Sequence, residues 1–340
     1  MHRPAPTLMD VARRAGVSTA TVSRCLNSPD RVIEATRSKV LEAVRDLGYS
    51  PNFGARVMVA RRTHTIGAII PTMENAIFAR GLQAFQEELR ESGYTLLVAS
   101  SSYRAEVEEE QIRSLVARGA DGLLLIGHDR DPAIYRFLET QGIPVLVAWA
   151  FDRAAPLVSV GFDNRKAMQA LAENVIGLGH RKIGLISAPV KSNDRARERV
   201  EGIRAAAQAA GLPDSCLHLV ETDYGIETGA EAFAQLIDRD VRPTVVMCGN
   251  DVLAVGAIKQ ARDMGLEVPR DISVTGFDDI ELASVVSPAL TTVHVPHRAM
   301  GRRSAMQLVQ MVEGNTPGQS LELATSIRMR ASLGAPRPDA

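Results

Sequence analysis

Residues 16–32 read GVSTATVSRCLNSPDRV, and what this stretch folds into decides the architecture of everything before residue 63. It is rich in hydroxyls and small side chains and carries two arginines, inside a 340-residue chain whose formal charge is −1. Val22, Cys25 and Leu26 recur at i, i+3, i+4, the spacing of one helix face. Ser18 stands where a hydroxyl caps the first turn, and Gly16 supplies the backbone freedom of a sharp turn before it. Thr19, Ala20, Ser23, Arg24 and Asn27 then form the outer face. Upstream, Thr7 and Asp10 make an imperfect capping box for a helix with Leu8, Val11, Ala12 and Ala15 on one side. Downstream, the pattern predicts a third helix from about Glu34 to Leu47, with Val40, Leu41, Val44 and Leu47 inward and Gly48 as its stop.

Helix, short glycine turn, helix is the layout of a helix-turn-helix, whose second helix enters the major groove. Small side chains at 19–21 let that helix lie close to the bases. Thr and Ser hydroxyls donate or accept, a Thr methyl touches the thymine methyl, and Arg24 forks to guanine. On pattern alone, a three-helix bundle with a polar outer face is the alternative. The charge distribution bears on the choice without deciding it. Residues 1–62 hold eleven Arg and Lys against five Asp and Glu, a formal +6, and the remainder holds 28 against 35, or −7. A basic head on an acidic body suits a head that touches a polyanion.

The segments VARRAGVSTATVSRCLNSPDRV and TRSKVLEAVRDLGYSPNFGARVMVARRTHTIGAIIP closely resemble the head of the LacI/GalR family of transcription repressors. Asp10, Val11, Ala12, Ala15, Gly16, Val17, Ser18, Thr21, Val22, Ser23, Arg24, Leu26 and Asn27 match the family pattern, as do Arg37, Val40, Leu47, Gly48, Tyr49, Pro51, Asn52, Ala55 and Arg56. The resemblance implies DNA-contact roles for Ser18, Thr19, Ala20, Thr21, Ser23, Arg24, Asn27, Thr36, Tyr49, Asn52, Ala55 and Met58. It further implies that residues 52–59, too short for a stable isolated helix, become a hinge helix on DNA, with Met58 as the minor-groove wedge. Two departures stand out: Met58 where the family usually has Leu, and Ile33 where it usually has a Ser cap. The missing cap weakens the third helix's start by about 1 kcal/mol.

From Thr65 onward, short apolar runs alternate with amphipathic stretches. The runs are TIGAIIP, TLLVASS, GLLLIG, PVLVAWA, LVSVGF, KIGLIS, TVVMCGN and ISVTGF. Strand–helix alternation with continuous apolar strands predicts parallel sheets covered by helices on both faces, and the length of this span predicts two lobes. No tandem repeat is visible. GHRKIGLIS, RVEGIRAAAQAAGL, CGNDVLAVGAIKQARDMGLEVPRDISVTGFDD and PALTTVHVP extend the family resemblance, and imply a type I periplasmic-binding-protein fold with a cleft between its lobes. VGFDN and its neighbours resemble the gluconate-type repressor subgroup. The domain plan is then a DNA-binding head at 1–50, a hinge and linker at 51–63, and an effector-binding and dimerisation body at 64–340.

Ligands of open parallel sheets sit beyond the C-terminal strand ends. Asn75, Phe78, Trp149, Asp163, Asn250 and Asp278 fall there. The resemblance adds Arg199 as a ligand-clamping arginine, Tyr224 as an aromatic wall and Asn193 as a second polar contact. Each has a plainer reading. Asp278-Asp279 could form an Asx turn, Trp149 could be core, and Arg199 could lie on a solvated face within RARER. Asn250-Asp251 could cap the next helix, with Asp251 as the expected cap. Carboxylates that accept from vicinal hydroxyls, beside an arginine, suit a sugar or sugar acid.

No G-x-G-x-x-G or phosphate-binding loop occurs, His64, His128, His180, His218, His294 and His297 are scattered, and the three cysteines lack metal spacing. Neither a cofactor, a metal nor an enzyme is expected. No apolar run approaches membrane-helix length and no signal peptide is legible, so a cytoplasmic protein is expected. A secreted sugar-binding protein would share the body without the head. The expected partners are double-stranded operator DNA, a small effector and a second copy of the chain, as a homodimer or higher assembly. Repression is the family's usual mode, and activation is the alternative.

Overall fold

The computed structural model describes residues 5–27, 29–50, 62–74 and 76–338. Asn52, Ala55, Met58 and Asn75 therefore lie outside the described residues. The chain divides into two units, residues 1–63 and 64–340.

In the first unit, α1 (Leu8–Ala15) starts on a complete capping box: Asp10 N donates to Thr7 Oγ1 (3.3 Å), and Thr7 N donates to the Asp10 carboxylate (2.9 Å). The shorter Asp thus closes the box that Glu usually closes, and these bonds hold its carboxyl below the usual range. Gly16, at φ 69°, turns the chain into α2 (Thr19–Asn27), whose first turn is capped by Ser18 Oγ accepting from Thr21 N (3.1 Å). α3 (Glu34–Leu47) starts at Ile33 without a side-chain cap and ends at Gly48, φ 62°. Glu34 supplies negative charge to that uncapped turn and pairs with Arg37. Three helices this short are marginal alone, so their shared core decides. It is Val11, Ala12, Val22, Cys25, Val40 and Ala43, with Leu8, Leu26, Val44, Leu47 and Tyr49 packed around it. Leu41, read from the sequence as inward, is instead 41% exposed, and Ala43 takes its place. Positions 40, 43, 44 and 47 share a face, whereas 41 is rotated about 100° from 40.

The second unit opens with β1 (Thr65–Ile70), α4 (Ala76–Glu91), β2 (Thr95–Ser100), α5 (Ala105–Ala117), β3 (Gly122–Ile126), α6 (Pro132–Gln141), β4 (Val145–Ala148) and β5 (Val158–Gly161). A second lobe follows with α7 (Asn164–Gly177), β6 (Ile183–Ser187), α8 (Asp194–Ala209), β7 (Leu217–Glu221), α9 (Ile226–Ile237), β8 (Val245–Cys248), α10 (Asp251–Asp263), β9 (Ser273–Asp278), α11 (Glu281–Val285) and β10 (Thr291–His294). α12 (His297–Glu313) returns to the first lobe and packs on α4. The short β11 (Leu321–Glu322) and β12 (Ser326–Arg328) then finish one sheet each.

The sheet orders are β11-β5-β4-β3-β1-β2 and β12-β10-β9-β8-β6-β7. The two lobes thus repeat one topology, parallel throughout except for the β10–β12 pair. β1, β3 and β4 are buried along their whole length, as continuous apolar strands between helix layers should be. β2 departs from that reading: it is an edge strand, with Leu97 and Val98 exposed. β7 is not among the apolar runs, because LHLVE carries polar residues; it lies at a sheet edge and is only half-buried over residues 217–219.

α4 and α12 touch backbone to backbone. A Cβ on Gly301 would lie 1.9 Å from the Gly81 carbonyl oxygen, and a Cβ on Gly81 would lie 2.5 Å from the Trp149 ring. Only glycine fits either place. Among the described residues, no helix is long and apolar enough to cross a membrane.

Candidate functional site

Polar side chains gather in two places. In the first unit, the outer face of α2 presents Ser18, Thr19, Ala20 and Arg24 to solvent, with Thr21 and Ser23 half-buried. Ser18 Oγ and Thr21 Oγ1 are 2.9 Å apart, so the cap also orients the Thr21 side chain. Asn27 closes α2, Thr36 sits half-buried in the first turn of α3, and Tyr49 packs against the helical core.

In the second unit, the C-terminal strand ends of the two lobes bring together a buried polar cluster. α8 is capped by Asn193, whose Oδ1 accepts from Ala196 N (3.3 Å), and Arg199 lies on the buried face of the same helix. Arg199 is 5% exposed, so it is not on a solvated face. Its Nε donates to Asn164 Oδ1 (2.8 Å), one terminal nitrogen donates to the Gly249 carbonyl (2.6 Å), and its Cζ lies 3.7 Å over the Phe277 ring. Its other terminal nitrogen faces Asp278 Oδ1 at 3.8 Å, beyond hydrogen-bond length.

Asp278 ends β9 with φ 105° and is wholly buried, and neither carboxylate oxygen has a hydrogen-bond partner among the described residues. Burial pushes its carboxyl up to about 7, against the pull of Arg199 and Arg195. Asn250 caps α10 through Oδ1, accepting from Leu253 N (2.9 Å), which leaves its Nδ2 buried and unpartnered. Ser187 Oγ, at the end of β6, is likewise unpartnered. Asp251 is not the cap that the sequence suggested. It accepts from Ile280 N (2.8 Å) and from the Thr292 hydroxyl (2.5 Å), and burial pushes it up to about 8. A carboxylate drawn sideways to these two donors has nothing left for the helix start.

Tyr224 stands beside the cluster, hydrogen-bonded to Asn193, with its ring 5.6 Å from that of Tyr103. Burial raises both phenols. Trp149 is buried at the end of β4 with Phe78 edge-on at 5.4 Å. Asp163 caps α7 by accepting from Lys166 N (2.9 Å), and it is the adjacent Asn164 that reaches Arg199. The sequence reading passed over Asn164, although DN at a strand end carried the signal.

A rim of charge joins the lobes. Arg195 donates to the Ile126 carbonyl (3.1 Å) and to Asp194 (2.8 Å), His128 N donates to Asp194 (2.5 Å), and Arg197 forks onto Asp129 at 2.8 and 2.9 Å. These contacts went unread because RARER alone does not reveal which arginine faces where. Together the cluster offers an unpaired carboxylate, a partly used guanidinium, a free amide N–H, a hydroxyl and an aromatic wall. That set is complementary to a molecule bearing several hydroxyls, which both donate and accept. Among the described residues, no group of three or more His, Cys, Asp or Glu side chains could hold a metal ion.

Two families match the chain: "Bacterial regulatory proteins, lacI family" over residues 7–52, and "Periplasmic binding proteins and sugar binding domain of LacI family" over residues 63–328. The HTH-type transcriptional regulator GntR of Pseudomonas aeruginosa is 35% identical over 329 residues, covering 96% of this chain and 95% of that protein. A crystal structure of the lac repressor dimer bound to operator and the anti-inducer ONPF superposes with a TM-score of 0.85 at 28% identity, covering 97% of this chain and 99% of that one. A complex of the transcriptional regulator CelR with cellobiose gives a TM-score of 0.70 at 30% identity, covering 96% and 99%.

Proposed function

The chain belongs to the LacI family of bacterial regulatory proteins, and from that premise we propose that it represses transcription by binding operator DNA under the control of a small sugar or sugar acid. The effector site is the cluster around Arg199 and Asp278. The observation that carries this reading is the gap between those two groups. At 3.8 Å they are too far apart to bond each other, and both Asp278 oxygens lack any other partner. A ligand hydroxyl entering there accepts from Arg199 and donates to Asp278. Asn250 Nδ2 and Ser187 Oγ supply further bonds, and Tyr224 and Tyr103 lie against the sugar's C–H faces. A buried carboxylate is costly without such donors, so the site discriminates strongly for hydroxylated ligands.

On the DNA side, the head (1–50) reads base edges with Thr19, Ala20 and Arg24. Ser18, Thr21, Ser23, Asn27, Thr36 and Tyr49 fix its placement. The hinge (51–63) contributes Asn52, Ala55 and the Met58 wedge, and the body (64–340) binds effector and pairs two copies. Phe78, Asp163, Asn193 and Asn75 are assigned to the effector site's surroundings. The protein acts in the cytoplasm, where its operator is. The test is a thermal-shift screen of neutral sugars and sugar acids on the full chain, because a ligand of the folded state raises the melting temperature by mass action. A raised midpoint with at least one compound, lost in Arg199→Ala, is the expected result. No response to any compound contradicts the effector reading.

A further inference from the structure

The two clamp residues are tied to one another by a second route that runs through the first lobe. Arg199 Nε donates to Asn164 Oδ1 (2.8 Å), and Asn164 Nδ2 donates to the Trp149 carbonyl (3.0 Å). Trp149 Nε1 donates to His297 Nδ1 (3.3 Å), and His297 Nε2 bonds the Asp278 carbonyl (3.1 Å). The circuit closes where Asp278 faces Arg199 across 3.8 Å. Every member is 5% exposed or less. An indole nitrogen only donates, so Nδ1 of His297 accepts and its proton sits on Nε2, donating to Asp278. Burial, which pushes the imidazole down to about 4, keeps it in that neutral form. Both carbonyls used by the circuit belong to non-glycine residues at positive φ, Trp149 at 59° and Asp278 at 105°. Backbone held in such conformations persists only where its surroundings fix it.

The Trp149 ring has no slack on its far side. It lies against Gly81 of α4, where even a Cβ would come within 2.5 Å, and against Phe78. His297 itself begins α12, which crosses α4 at Gly81 and Gly301. A shift of the indole is therefore a shift of α4.

We propose that His297 is the positioning residue that couples the Arg199–Asp278 pair to α4 of the first lobe, by holding Trp149 between them. A ligand that draws Arg199 and Asp278 together pulls on the Trp149 carbonyl through Asn164 and on its ring through His297. The two pulls act on one residue from opposite ends. This inference rests on the effector reading above for its biological meaning.

Trp149 is the only tryptophan of the chain, so its indole N–H gives a single NMR resonance and its emission a single fluorescence signal. In the full-length, ligand-free protein, Arg199→Gln and Asn164→Ala should each displace that resonance. Arg197→Gln, two positions away on the rim, should leave it in place. If Arg199→Gln and Asn164→Ala leave it unmoved, the circuit is not connected and the proposal fails, whatever binds in the cleft. The second arm uses the compound that binds best among D-glucose, D-ribose, D-gluconate and D-glucuronate. Its effect on operator affinity, expected in the range of roughly 5–150-fold, should collapse toward unity in His297→Leu. Sugar affinity should meanwhile stay within a few-fold. His297→Gln, which offers one acceptor and one donor in the same span, should recover part of the response and excludes a folding defect as the cause. Full coupling in His297→Leu overturns the proposal. Failure of all four compounds to bind the unaltered protein counts against the effector reading instead, and the ligand-free resonance shifts then decide the circuit.

Discussion

The head and the body put their polar side chains to work in opposite environments. On α2, Thr19, Ala20 and Arg24 are exposed to solvent. In the body, Arg199, Asn164, Asp278 and His297 are buried and bonded into the frame that presents them. DNA is a large partner that brings its own charge to a solvated surface, so the reading residues need only be exposed and correctly spaced. A small ligand offers few contacts, and each must form in a site already stripped of water. Substitutions on the exposed face of α2 should therefore change binding without changing stability, and substitutions of the buried groups that face the ligand, Arg199 and Asp278, should change both.

The largest effect that sharpens this contrast is Arg199→Ala. Removing one partner of a buried charge pair costs about 2–5 kcal/mol of ligand affinity. Calorimetry should show effector binding essentially lost, and operator binding without effector should be preserved. Next is Gly301→Ala, which adds one methyl in the body away from any ligand contact. With the Gly81 carbonyl 1.9 Å from the new Cβ, α4 and α12 must part, destabilising the body by about 1–3 kcal/mol in denaturant titration. An equal-sized change on the exposed face of α2 should leave the denaturation midpoint unmoved. Arg24→Ala tests the other side of the comparison: discrimination at one base-pair position should drop by about 1–3 kcal/mol with no change in melting temperature. A clear loss of stability in that variant would break the contrast.

The smallest effect is in pH. Asp278 is held up at about 7 in the fold, against about 4 for a free aspartate. The folded protein thus keeps a proton that the unfolded chain has lost, and this group's share of stability falls as pH rises from about 4 to about 7. Ligand hydroxyls that donate to Asp278 favour its ionised form. Effector affinity should therefore rise with pH below about 7, by at most about tenfold per unit, and level off above it. Asp278→Asn should flatten that profile in calorimetric titrations.

The head was legible almost to the residue, because its signals are local. Thr7, Gly16, Ser18 and Gly48 act on neighbours within a turn, and only Leu41 was misplaced, by a single helical position. The body's strands were legible as apolar runs, but the repeat of topology between the lobes was not, since packing preserves strand order without preserving sequence. The cluster was half legible. Asp278 came from its place at a strand end and Arg199 from the family resemblance, whereas Asn164, Tyr103 and His297 were missed. Their partners lie far along the chain, 35 positions away for Asn164 and Arg199, and 148 for His297 and Trp149. A local pattern such as DN marks the strand end, but it does not encode the distant partner. Asp251 was misread for the same reason, its true partners being Ile280 and Thr292.

The central claim, a DNA-reading head controlled by a sugar-binding body, meets its most direct test in the selection of bound sites from random-sequence DNA by the full-length protein. The selection is run with and without a mixture of sugars and sugar acids. The account predicts enrichment of one two-fold-symmetric site, with half-sites about one helical turn apart, roughly 34–36 Å, and retention that changes when the mixture is present. An asymmetric site, no enriched site, or a symmetric site indifferent to every compound would contradict it.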